Sequence, residues 1–208
     1  WIDLAGRGVT PGLVDAHVHF RGFALHLQNV DLDGLPTREA ILDRIRSFAT
    51  RPSETTGWLR GRGWRVAAWP NHAFPTAAEL DSVVSDRPAL LSDKSGHAAW
   101  ANTAALRLAG ITAATADPPG GQIQRDPDGA PTGVFFEDAI DLVASHIPRA
   151  TTDELVAAMR AAQAYCWSVG LTGLHDFDGR DCFVALQSLR EAGELGLRVA
   201  GEAISYDV

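Results

Sequence analysis

Thr10-Pro11-Gly12-Leu13-Val14-Asp15-Ala16-His17-Val18-His19 is the stretch on which the fold turns. Side chains alternate across a strand, so Leu13, Asp15, His17 and His19 share one face and Val14, Ala16, Val18 and Phe20 the other. A wholly apolar outer face, with an inner face that turns polar toward its C-terminal end, suits a barrel strand with helices packed outside and a site at its mouth. Two imidazoles two residues apart on one rigid strand chelate a metal ion at little entropic cost. The plainer alternative is two unrelated histidines, one hydrogen-bonded in the core and one solvated.

Outward from this strand, further short apolar runs read as strands at Trp58 to Gly63, Ala89 to Ser92, Leu171 to His175 and Leu197 to Ile204. Helices separate most of them. Thr151-Thr152-Asp153-Glu154 has the form of a capping box, after which Leu155, Met159, Ala162, Cys166 and Val169 recur at helical spacing. Thr76-Ala77-Ala78-Glu79 repeats the box. A third helix opens at Thr37 and carries Ile41, Leu42, Ile45 and Phe48, and a fourth spans Phe183 to Ala192. Alternating strands and helices predict an α/β fold, a parallel sheet or partial (β/α)8 TIM-type barrel. Residues 118 to 136 interrupt it as a β-hairpin with its turn at Asp126-Pro127-Asp128-Gly129, inside an inserted α/β segment of about residues 65 to 150.

Composition sets the outer bounds. The chain of 208 residues is 46% hydrophobic and 21% charged, as a folded globular protein is, and no apolar run is long enough to cross a bilayer. A net charge of −8 speaks against nucleic acid and anionic membranes as partners. Cys166 and Cys182 have no CxxC spacing and no disulfide pattern, so a reducing cytoplasm is the expected location. The chain opens on Trp1 with no signal sequence, from which we expect a piece of a longer protein.

The PGxxDxHxH strand resembles the amidohydrolase superfamily of metal-dependent hydrolases. Gly61-Arg62-Gly63-Trp64, Phe74-Pro75-Thr76 with Glu79-Leu80-Asp81, Gly96-His97-Ala98-Ala99-Trp100-Ala101-Asn102, Gly133-Val134 and Gly170-Leu171-Thr172-Gly173-Leu174-His175-Asp176 follow in order. Together they are similar to the formamide-deformylase-like branch called amidohydrolase family 3. The resemblance implies that His17 and His19 are the first two metal ligands, for one or two divalent ions with zinc the first choice. It also implies two further histidine ligands and a catalytic Asp beyond Val208, leaving this portion inactive alone. Residues 1 to 8 would be a remnant of the family's small β-sandwich.

The implied reaction is hydrolysis of a non-peptide C–N bond in a small amide, formamide or N-acyl amine. A bound ion lowers the pKa of its water and polarises the carbonyl. Three more residues are candidates for substrate contact or support. His175 and Asp176 close a strand and so face the same mouth as His17 and His19, although His175 could equally be bonded to a loop carbonyl. His97 reads as opening a helix whose free N–H groups suit a carboxylate or oxyanion, or else as packing on Trp100. Trp58, Trp64, Trp69 and Trp100 fit either a substrate wall or the core. A competing reading is a non-catalytic binding module with a vestigial HxH, either soluble and monomeric or self-associating through its open sheet edge. A metallo-β-lactamase site would need Asp-His where Arg21-Gly22 stand.

Overall fold

The computed structural model describes residues 3–50 and 57–201. In chain order it contains β1 (Leu13–Val18), α1 (Phe20–His26), β2 (Val30–Asp31), α2 (Arg38–Ala49), β3 (Leu59–Trp64), α3 (Ala77–Asp81), β4 (Ala89–Asp93) and β5 (Ala98–Ala101). It continues with α4 (Thr103–Leu108), β6 (Gly121–Arg125), β7 (Pro131–Glu137), α5 (Asp141–Ala144), α6 (Thr152–Ser168), β8 (Leu171–Asp176), α7 (Arg180–Glu191) and β9 (Arg198–Gly201). The class is mixed α/β. The chain divides into two compact units, Trp1–Gln28 with Thr151–Val208, and Asn29–Ala150.

The first unit is built on a three-stranded sheet in the order β1-β8-β9, parallel throughout. Its long helix α6 starts where the capping box predicts: the Thr151 hydroxyl accepts from the Glu154 N–H, and Glu154 Oε2 accepts from the Thr151 N–H at 2.7 Å. Leu155, Met159, Ala162 and Cys166 are buried along one stripe, while Val169 is the half-exposed C-cap. Gly12 leads into β1 because a Cβ there would lie 2.1 Å from Thr172 Oγ1 of β8. Glycine alone lets the two strands close up at that point.

The second unit holds a six-stranded mixed sheet in the order β2-β3-β4-β5-β7-β6, parallel from β2 to β4 and antiparallel beyond. Trp64, Trp69 and Trp100 are buried together, with ring centroids 5.9 Å and 6.5 Å from Trp64. Trp64 Nε1 donates to the Leu91 carbonyl at 2.7 Å, and Trp100 Nε1 to the Thr76 carbonyl at 2.8 Å. These tryptophans, with the buried Trp58, are core and not a substrate wall. Asn102 is fully buried and completely satisfied: Oδ1 accepts from the Ala89 and Ala105 N–H groups, and Nδ2 donates to the Val84 and Arg87 carbonyls.

Several expectations change. The strands expected at Trp58 to Gly63 and Ala89 to Ser92 exist as β3 and β4, but they belong to the second sheet and not to that of β1. Pairing with β2 captures β3, where a Cβ on Gly61 would sit 2.4 Å from Val30 Cγ1. The second unit, which holds β2 to β7, runs from Asn29 to Ala150. The hairpin is present as β6 and β7, with Asp126 Oδ1 accepting from the Asp128 and Ala130 N–H groups in its turn.

Gly96 to Trp100 does not open a helix. Asp93 Oδ1 accepts from the Gly96 and Ala98 N–H groups and turns the chain into β5, which is fully buried between β4 and β7. The helix starts later, at Thr103. Residues 3–8 carry no strand, while Trp1 and Ile2 lie outside the described residues. The strand expected up to Ile204 is seen as β9, its continuation past Gly201 lying outside them too. Helix α7 begins three positions before Phe183, and no signal anticipated α1 or α5. Among the described residues no helix is long and apolar enough to cross a membrane.

Candidate metal centre

His17 lies near the end of β1 and His19 is the residue that leads into α1. Their rings are edge-on, 5.5 Å between centroids at 77°, and both residues are exposed or nearly so. Asp15 Oδ1 accepts from the His17 N–H at 2.9 Å. The extended backbone brings two imidazoles to one strand end with free surface in front of them.

Around this pair stands the segment that leaves β8. Asp176 is 4% exposed, and its Oδ1 accepts from the Phe20 N–H at 2.9 Å. The Phe177 ring stacks on His17 at 3.9 Å and 12°, and its N–H donates to the Val18 carbonyl at 2.9 Å. Asp178 Oδ1 stands 3.3 Å from His19 Nδ1, while its Oδ2 accepts from the Arg21 N–H at 2.6 Å. A carboxylate against Nδ1 favours the tautomer that carries its proton there, leaving the Nε2 lone pair for a metal. Two exposed imidazoles at one strand end offer ring nitrogens of the kind that a divalent ion taking nitrogen ligands needs.

Asp176, Asp178 and Cys182 also bring two carboxylates and a thiol within 4.8 Å of one another. Burial, and then hydrogen bonding to Asp176, push the Cys182 thiol well up, so it stays protonated. With oxygens of both carboxylates holding backbone N–H groups, the cluster reads as a bracket on α1.

The structure thus brings Asp176 to the base of the histidine pair. His175, its neighbour on β8, is exposed and pairs in register with Ala200 of β9. His97 belongs to the other unit. It sits in the turn before β5, 70% exposed, with Nδ1 2.9 Å from Glu137 Oε2. The hydrogen bond that His97 donates to Glu137 and that carboxylate's charge raise its pKa above the ordinary histidine value. The helix-start N–H groups expected beside His97 are absent there; those of α4 are taken by Asn102 Oδ1 and by Asp81, which accepts from the Thr103 N–H. Phe177 and Asp178 went unnoticed in the sequence, although they directly follow the strand end that His175 and Asp176 mark.

The Amidohydrolase family profile matches residues 1–208. The chain belongs to the amidohydrolase family. YtcJ of Bacillus subtilis (strain 168) is 37% identical over 177 residues, covering 85% of this chain and 33% of its own length. The N-substituted formamide deformylase of Arthrobacter pascens is 35% identical over 182 residues, covering 84% and 33%. The chain therefore spans about a third of the length of these curated relatives. The crystal structure of a metal-dependent hydrolase from Pyrococcus horikoshii OT3 superposes with a TM-score of 0.69 at 23% identity, over 93% of this chain and 36% of that one. That likeness establishes a shared fold.

Proposed function

We propose that this chain carries the HxH half of the metal centre of an amidohydrolase that cleaves a non-peptide C–N bond in a small amide, formamide or N-acyl amine. The observation that carries this reading is the pair His17 and His19 at one strand end, with Asp178 against His19 Nδ1. Family membership and the formamide deformylase relative support the bond type. The parallel order β1-β8-β9 with accompanying helices suits the first strands of a (β/α)8 barrel, whose mouth lies at the strand C-termini where the histidines stand.

When bound, a divalent ion, zinc by first choice, supplies an activated water near neutral pH and polarises the scissile carbonyl. The chain's own residues have the narrower tasks. His17 and His19 hold the ion through ring nitrogens, and Asp176 and Phe177 keep the strand end and the His17 ring in place. A catalytic zinc usually takes three protein ligands, so further ligands come from beyond these two histidines, and turnover needs them. We also infer association of the isolated chain with itself, since Leu13 and Val14 on β1 are 61% and 58% exposed. Light scattering showing a stable monomer would count against that.

The deciding experiment is a Zn2+ titration of the 208-residue chain beside its His17→Ala/His19→Ala variant, with metal content measured after dialysis. Binding that the double variant loses supports the assignment. Equal binding by both chains would overturn it.

A further inference from the structure

Helix α1 runs for seven residues, too short to hold itself together, and its leading residue His19 makes no side-chain cap. The first N–H groups of a helix have no partner within it, so an orphaned start beside the histidines would fray. Here the partners come from far along the chain. Asp176 takes the Phe20 N–H across 156 positions, and Asp178 takes the Arg21 N–H across 157. The residue between them is spent on the same target from the other side, its ring flat on His17 and its N–H on the Val18 carbonyl.

Three consecutive residues thus grip the backbone on both sides of His19 and touch both imidazoles. We infer that Asp176-Phe177-Asp178 is the positioning element of the histidine pair, with Phe177 setting the ring plane of His17 and Asp178 selecting the Nδ1–H tautomer of His19. For its functional meaning this rests on the metal reading above, but the geometry it claims exists without metal. Asp178 is suited to the task because one carboxylate reaches the His19 ring and the α1 backbone at once, and its side chain is 9% exposed while that of His19 is 61% exposed. A buried anchor holds an accessible ligand. Asp176 lies deeper and is itself held by the protonated Cys182 thiol, so the clamp continues into α7.

The test uses the metal-free 208-residue chain labelled with 15N, at about pH 8, where ordinary imidazoles are neutral. Long-range 1H–15N correlation is expected to show His19 as the Nδ1–H tautomer, shifting toward Nε2–H in Asp178→Ala. Zinc affinity of that variant should fall about 10- to 100-fold, the usual effect of losing the group behind a ligating histidine. Because Asp178→Ala also frees the Arg21 N–H and could loosen α1, a second pair separates positioning from folding. Phe177→Tyr keeps the ring and should keep both the upfield ring-current shift of His17 and the affinity. Phe177→Leu should lose both. An unchanged His19 tautomer and zinc affinity in Asp178→Ala, or a Phe177→Leu chain indistinguishable from Phe177→Tyr, would overturn the proposal. If wild type and His17→Ala/His19→Ala bind zinc equally, the metal reading falls, while the tautomer and ring-current results still decide whether the segment positions the rings.

Discussion

The two units of this chain spend their residues differently. Asn29–Ala150 is occupied with its own interior: three tryptophans packed on one another, a six-stranded sheet, and a buried asparagine with four hydrogen bonds. The unit of β1, β8 and β9 has three strands and leaves Leu13, Val14, Tyr165, Trp167 and Phe183 about half exposed or more. Asp176 and Asp178 of this unit fix one strand end. The tryptophan core and the histidine pair thus belong to different units.

The contrast can be broken or sharpened by substitution. The largest effect is expected from Trp64→Ala, which empties a buried site and frees the Leu91 carbonyl, at a cost of about 3–5 kcal/mol by urea unfolding. If the units are energetically separate, the zinc binding proposed for His17 and His19 survives in this variant. Asp176→Ala should cost less, about 1–3 kcal/mol, by leaving the buried Phe20 N–H unpaired. Here hydrogen exchange should accelerate first at Phe20, with Trp64 and its neighbours unaffected. Thr151→Ala removes one half of a capping box and should cost about 1 kcal/mol, read as fraying at the start of α6.

The smallest effect concerns pH. His97 has its folded-state pKa raised by Glu137, so the pair's contribution is fully present below the unfolded-state value of about 6.5. It is lost as pH rises through the folded-state value. Both side chains are more than half exposed, so global stability should barely change. An NMR titration should place the His97 midpoint above that of Glu137→Gln, and coincident curves would dissolve the pair.

Much of the outline was legible because its signals are local. The capping boxes at Thr76 and Thr151 need only four residues each, and both helices begin where those boxes stand. The turn at Asp126 likewise carries its own acceptor. The strand from Leu13 announced itself by alternation, and with it the histidine pair. Gly96 to Trp100 misled because a run of alanines around His97 has the composition of a helix. Burial on both faces between β4 and β7 makes it a strand instead.

By itself the sequence determined the capped helices α3 and α6, the strands β1, β3, β4 and β8, and which end of β1 holds two imidazoles, because periodicity and caps act within a few residues. Only the tertiary structure decided which sheet claims β3 and β4, since an apolar run of five or six residues carries no address for its partner. It alone decided that Phe177 and Asp178 stand against His17 and His19. Those contacts join residues about 160 positions apart, and the pairing of β1 with β8 makes them neighbours.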